Sequence, residues 1–313
     1  MLGETIMHIF VTGGSGLTGP AVVAELLAAG HQVTGLARSK ASADRLEALG
    51  ASAHPGSLDD LDSLSSGAAH ADGVIHMAFG GDFADPAELA RRDSAAIRAL
   101  GEPLAGTGKP LVMTSGTFAM AAGAVSTETD APDPHSIAGF RIPGERACLD
   151  LAGRGVRAVV VRLSPTVHGP GDYGFIPGLI ATARRTGVSV YIGDGGNRWP
   201  AIHRQDAAAL FRLAVQDAPA GSALHGASEQ GITLKSIAGK IGDLLHLPTS
   251  SLTPEQAAEH FDNPFMALAY GTDAPASSAA TQTLLGWTPT HPTLLEDLEH
   301  GDYINTDAPT KKW

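Results

Sequence analysis

The sequence predicts a parallel β-sheet wound on both faces by helices, followed by a smaller, mostly helical lobe. Three observations carry this expectation. Short β-branched runs alternate with helix-period segments through the first half. A glycine-rich turn stands between the first such run and the first helical pattern, and beyond Leu163 the alternation gives way to Gly- and Pro-rich punctuation. The implied division is a sheet domain over 1–168, to which the chain returns at about 204–226, and a lobe built from 169–203 and 227–313.

Each element has a local reason. Met7-His8-Ile9-Phe10-Val11-Thr12 is too short and too β-branched for a buried helix, so it reads as the first strand. Leu17, Val22, Val23, Leu26 and Leu27 then recur at helical spacing until Gly30 supplies a stop. Further strands are expected at 32–36, 51–54, 74–77, 111–113 and 156–163, with helices around 41–49, 59–66, 85–101 and 137–153 between them, which makes six strands. In the second part, helical patterns at 175–186, 206–217, 233–246, 254–262 and 293–300 outnumber strands, and 305–313 reads as a frayed tail.

Composition narrows the functional classes. The chain has 313 residues, 43% hydrophobic and 17% charged, which suits a globular protein with a real core and neither a disordered chain nor a coiled coil. Its 21 basic and 33 acidic residues leave a formal charge of −12, which would repel a phosphate backbone, so nucleic acid is not an expected partner. Cys148 is the sole cysteine and the 13 histidines show no zinc-binding spacing, so neither an intrachain disulfide nor a metal is expected. No run of 18 apolar residues and no basic leader occurs, so a cytoplasmic protein without a membrane segment is expected, monomeric or homodimeric.

Thr12-Gly13-Gly14-Ser15-Gly16-Leu17-Thr18-Gly19 carries the cofactor argument. Gly13 permits a tight turn out of the strand, Gly16 lets backbone approach a pyrophosphate, and Gly19 lets the helix pack close to the sheet. The helix N-terminus then offers N–H groups and partial positive charge to phosphate. This spacing resembles the T-G-x-x-G-x-x-G of the short-chain dehydrogenase/reductase superfamily. Gly56-Ser57-Leu58-Asp59-Asp60 resembles its G-D-L-x-D segment, Val74-Ile75-His76-Met77-Ala78 its V-I-H-L-A, and Leu163-Ser164-Pro165-Thr166-Val167-His168-Gly169-Pro170-Gly171 its R-P-x-x-V-Y-G-P-G. Ile202-His203-Arg204-Gln205-Asp206 resembles I-H-V-D-D, and Leu285-Gly286-Trp287-Thr288-Pro289 resembles L-G-W-x-P. Together these blocks cover about 7 to 300 and resemble the extended or atypical members, the NAD-dependent epimerase/dehydratase type.

That resemblance implies a Rossmann-type dinucleotide-binding domain with a C-terminal substrate lobe. The implied cofactor contacts are Gly13, Ser15, Gly16, Leu17, Thr18, Gly19, Arg38, Ser39, Asp59, Ala78, Phe79, Thr114, Arg141 and Val167. No carboxylate ends the second strand. Arg38 and Ser39 stand there instead and can donate to a 2′-phosphate, so NADP(H) is expected in preference to NAD(H).

The catalytic pattern departs from the family's. Reductases of this superfamily use a Tyr-x-x-x-Lys pair and a Ser or Thr after the fifth strand, but the best register here puts Ile137, Arg141 and Gly116 in those places. Candidate substitutes are Ser115, Thr117, His168 and Tyr173, with Met120, His135, Phe140 and Trp199 as pocket lining. The expected activity is NADP(H)-dependent oxidoreduction of a small apolar or aromatic ketone or alcohol. A catalytically silent NADP(H) sensor is the rival, and a nucleotide-sugar epimerase or dehydratase the third reading.

Overall fold

The computed structural model describes residues 6–80 and 84–304; the expected tail at 305–313 lies outside the described residues. From the N-terminus, β1 (His8–Thr12), α1 (Gly19–Ala28), β2 (Gln32–Ala37), α2 (Lys40–Ala48), β3 (Ser52–Pro55) and α3 (Leu61–Ala69) lead to β4 (Gly73–His76). They are followed by α4 (Pro86–Gly101), β5 (Pro110–Gly116), α5 (Ile142–Leu149), β6 (Arg157–Leu163) and β7 (Thr166–His168). Next come α6 (Phe175–Thr186), β8 (Ser189–Ile192), β9 (Arg198–His203), α7 (Arg204–Asp217), β10 (Ser222–Gly226), β11 (Glu229–Thr233), α8 (Leu234–Leu245) and β12 (Thr249–Leu252). Helices α9 (Pro254–His260), α10 (Pro264–Gly271), α11 (Ala279–Leu285) and α12 (Leu294–His300) complete the described chain.

The central sheet has seven parallel strands in the order β10-β6-β5-β4-β1-β2-β3. The direction of winding reverses between β1 and β4, which opens a crevice at the C-terminal strand ends. Strand alternation feeds two cores. Ile9, Val11, Ile75 and Val112 face α1 and α7, whereas Phe10, Val74, Leu111 and Met113 face α3, α4 and α5. A third core joins Phe118, Phe175, Trp199, Ile237 and Tyr270 with α6, α8, α10 and α12. Two small sheets, β11-β9-β7 and β12-β8, lie outside the central one.

Two expectations are corrected. The sheet has seven strands and not six, because Ser222–Gly226 returns to pair with β6; with only Ala223 and Leu224 as hydrophobic residues, it had no periodic signal. The helix expected over 137–153 is regular only over Ile142–Leu149, flanked by 3-10 turns at Gly139–Arg141 and Asp150–Arg154, with Pro143 in its first turn. Ile137 and Arg141 therefore share no helical face.

Candidate active site

The glycine turn is built for close approach. Gly13 leaves β1 at φ +75°, and a Cβ there would lie 2.7 Å from the Ala78 nitrogen. Gly16 N–H donates to the Gly13 carbonyl at 2.9 Å. A Cβ on Gly19 would overlap the Gly13 carbonyl oxygen and lie 2.6 Å from Gly14 carbonyl atoms, so α1 starts directly against the turn. Ser15, Gly16, Leu17 and Thr18 line this turn half-buried, and Thr18 precedes the helix without a side-chain capping bond.

At the ends of β2 and β3, a cavity of about 450 Å³ is lined by Arg38, Ser39, Lys40, Gly56, Ser57 and Asp60. Arg38 is exposed at its rim. Ser39 is partly committed, since its hydroxyl caps α2 by accepting from Ser42 N–H. Asp59 corrects an expectation: it forms an ion pair with Arg92 at 2.6 Å and does not line the cavity, where Ser57 and Asp60 stand instead. Strict register could have found this, because Ser57 occupies the acid's place in the G-D-L-x-D comparison.

The other side of the crevice collects polar groups whose partners are missing. Thr114, Ser115 and Thr117 lie at the end of β5, and their buried hydroxyls have no hydrogen-bond partner; nor does that of Ser136. Such groups are costly unless something else satisfies them. Leu111 and Met113 face the α4/α5 side, and the two-residue period puts Ser115 there too. The turn at Gly139–Arg141 brings the Arg141 guanidinium against the Thr114 carbonyl, which accepts a short bond from Nη2. Arg141 lies 3.6 Å over the centroid of Phe79, which stacks on Phe140 at 6.0 Å.

Beneath Arg141 runs a buried chain not anticipated from the sequence. Arg141 Nη1 is 3.4 Å from Asp93 Oδ2, Asp93 Oδ1 is 3.4 Å from His76 Nε2, and His76 Nδ1 is 2.7 Å from Thr12 Oγ1. Thr12 Oγ1 also accepts from Ala78 N–H at 3.2 Å, tying the chain to the glycine turn. Burial alone would raise the Asp93 carboxyl, but Arg141 and His76 overcome it and hold it below the usual range. Burial pushes Arg141 down, opposed by Asp93 and Glu145. The Asp93 signal was available only as an acid on the inward face of a predicted helix, four residues from apolar Leu89 and Ile97.

Four other candidates stand elsewhere. Trp199 is fully buried in the third core, its Nε1 donating to the Thr272 carbonyl at 3.0 Å, so it lines no pocket. Met120 is 3% exposed, likewise core. His168 has no exposure; its Nδ1 meets Asp297 at 2.9 Å, and its Nε2, without a hydrogen bond, stands 3.9 Å from Glu229. It shares its full burial with Thr117 but, unlike that hydroxyl, its ring is committed to Asp297, joining α12 to β7. His135 is exposed on a loop. Val167 is buried in the first core beside the crevice. Tyr173 is half-buried in the 169–174 loop, which packs on the glycine turn, where Gly174 approaches Leu17; burial pushes its phenol up against the pull of Arg204 and Arg45.

Asp172 in that loop and His203 beside it, at the end of β9, are shifted in opposed senses. Burial pushes the Asp172 carboxyl up to about 6, although Gly174 N–H and the Tyr303 hydroxyl donate to it; burial, then His168, pushes His203 down to about 4. Between about pH 4 and 6 the folded protein binds extra protons at Asp172, so that contribution falls as pH rises, while the unfolded chain binds more at His203, so that contribution rises. Asp172→Asn removes the first. Its melting temperature is expected to exceed the native value at neutral pH and to climb more steeply from pH 4 to 6, measured by calorimetry across that range.

A glycine turn at the winding reversal, with a polar site across the crevice, defines a dinucleotide-binding α/β protein of the extended short-chain reductase type. The sequence profile of the NAD dependent epimerase/dehydratase family matches residues 9–225, and the chain belongs to that family. Its members are NAD(P)-dependent oxidoreductases, epimerases and dehydratases. The chain is 47% identical over 303 residues to "Uncharacterized protein C2A9.02" of Schizosaccharomyces pombe, covering 95% of this chain and 100% of that protein. It is 29% identical over 223 residues to a 4-hydroxy-2-methyl-3-oxo-4-farnesyl-3,4-dihydroquinoline-1-oxide ketoreductase of Stigmatella aurantiaca, covering 69% of this chain and 66% of that one. Among solved structures, DesIV, a dTDP-glucose 4,6-dehydratase of Streptomyces venezuelae with NAD bound, superposes with a TM-score of 0.76 at 18% identity, covering 94% of this chain and 96% of that one. Among the described residues no helix is long and apolar enough to cross a membrane, and no cluster of metal-ligating side chains occurs.

Proposed function

We propose that the protein is an NADP(H)-dependent oxidoreductase that acts on a small apolar or aromatic ketone or alcohol. The observation that carries this is the pair of unpartnered hydroxyls of Ser115 and Thr117 after β5, close in the chain to the carbonyl of Thr114 that fixes the Arg141 guanidinium, across the crevice from the glycine turn. When bound, the nicotinamide supplies hydride chemistry. Arg141 holds the nicotinamide ribose in the place where relatives use lysine, and Ser115 and Thr117 donate hydrogen bonds to the substrate oxygen. The stacked Phe79 and Phe140 favour a flat or apolar substrate, which enters between the sheet and the lobe of 169–203 and 227–313. The ketoreductase of Stigmatella aurantiaca, whose name places the 3-oxo group in a benzo-fused ring, supports reduction of a ketone.

NADPH oxidation against a panel of aromatic and alicyclic ketones tests the reading. Turnover is expected, with Ser115→Ala or Thr117→Val reducing it by about 10²- to 10⁴-fold where the altered hydroxyl is the donor. Since Ile137 has no proton to give, tight NADPH binding without turnover on any member of the panel would favour the silent sensor. Cofactor preference rests on Arg38. NADPH is expected to bind more tightly than NADH by about 1–3 kcal/mol, and Arg38→Ala to erase most of that difference in calorimetry.

A further inference from the structure

Arg204 begins α7 at a place where the I-H-V-D-D pattern has an apolar residue, so this cation is a departure from that pattern. Its side chain joins two loops. Nη2 donates to the Leu17 carbonyl in the glycine turn at 2.7 Å, and Nη1 donates a short bond to the Pro170 carbonyl. Nε is buried with no hydrogen-bond partner. Gly169 and Gly171, at φ +123° and +77°, leave room for the side chain: Cβ atoms there would lie 3.0 Å from its Cγ and 3.3 Å from Nη1.

The guanidinium has no direct ion pair. Among the described residues no carboxylate lies within ion-pair distance of Arg204; Asp172, in the loop it straps, feels its charge from further off and spends its own hydrogen bonds on the Tyr303 hydroxyl and Gly174 N–H. Carbonyl oxygens satisfy donors without neutralising charge. A full positive charge is thus held against Leu17, in the turn whose N–H groups and helix dipole are oriented for an anion. Two loops from opposite walls of the crevice meet at this one side chain.

We propose that Arg204 is a binding residue for the diphosphate of the dinucleotide, closing the 169–174 loop over it as a clamp. This rests on the dinucleotide reading above and adds a site to it. On binding, a guanidinium donor turns from loop carbonyl to phosphate oxygen, and the unspent Nε–H gains an acceptor. Tyr173, in the same loop, would then cover the diphosphate from solvent, not reach the reacting carbonyl.

The test is calorimetry on the full chain with three probes: NADPH, ADP-ribose, and adenosine 2′-monophosphate, which has no diphosphate. Arg204→Gln is expected to weaken NADPH and ADP-ribose by about 10- to 100-fold and to leave adenosine 2′-monophosphate within a few-fold. The salt dependence of ADP-ribose binding should become shallower. Unchanged NADPH affinity, or an equal loss for all three probes, would overturn the clamp. Should the glutamine variant melt below the assay temperature, Arg204→Lys decides. A charge-based clamp keeps ADP-ribose within about five-fold, whereas a strap acting only through its carbonyl fork loses that affinity. Failure of the native protein to bind NADPH or ADP-ribose would overturn the dinucleotide reading as well; a loss confined to the variants speaks to Arg204 alone.

Discussion

Gly19→Ala is expected to be the most damaging single methyl group in the protein, costing about 3 kcal/mol or more and abolishing dinucleotide binding. The added carbon meets Gly13 and Gly14 backbone, not a side chain that could turn aside. Relief requires α1 to slide away from β1, yet α1 is anchored by Val22, Val23 and Leu26, all without solvent exposure. Chemical denaturation with a titration of NADPH measures both effects. A variant of native stability would show that the turn has slack which the close approach at Gly19 denies. Gly16 behaves differently. Its Cβ would meet only the Gly13 carbonyl, at 3.2 Å, so Gly16→Val is expected to fold and lose binding through obstruction of the ligand's own space.

Asp93→Asn should cost about 3–5 kcal/mol, because it keeps the shape of the buried chain and removes the charge that Arg141 faces. Both side chains are nearly inaccessible, at 3% and 9% exposure, so water cannot take over. The sign of the pH dependence comes from the depressed carboxyl. Its stabilisation is complete above the ordinary aspartate range and lost as the solution is acidified through the lowered folded value. The asparagine variant should therefore lie furthest below the native protein near neutrality and converge on it in acid, as read from urea midpoints across pH. A constant gap would mean that packing, not charge, is what Asp93 contributes.

Much of the sheet was legible because β-branched runs and the glycine turn are local signals. Ile9, Phe10 and Val11 carry their strand in their own chemistry, and Thr12 to Gly19 mark its end and the start of the first helix. The final strand was not legible: Ser222–Gly226 owes its conformation to the edge of β6, a tertiary cause invisible in a short window. The crevice divided along the same line. Arg38, Ser115 and Thr117 sit where chain order after a strand places them. Trp199 and His168 were misplaced because an aromatic or a histidine near a strand end looks the same whether it faces a cleft or a core. Asp93, His76 and Arg141 come from three separate elements, so only the folded chain reveals their alignment.

The late arrival of β10 has a consequence for biogenesis. During synthesis, β1 to β6 leave the ribosome before Ser222–Gly226 is made, and the outer edge of β6 stands unpaired, a template for association with other nascent chains. Arg157 and Arg162 on that strand act against this, since charge on a bare edge discourages strand addition. Arg162 is held from the start by Glu145 of the preceding helix, whereas Arg157 is reused once the chain is complete: it donates to the carbonyls of Ala214, Val215 and Ala218 at the end of α7, seating the helix that delivers β10. A gatekeeper during translation thereby becomes a fastening in the finished fold, and a chain cut before Ser222 is expected to partition into inclusion bodies more than the full-length protein does.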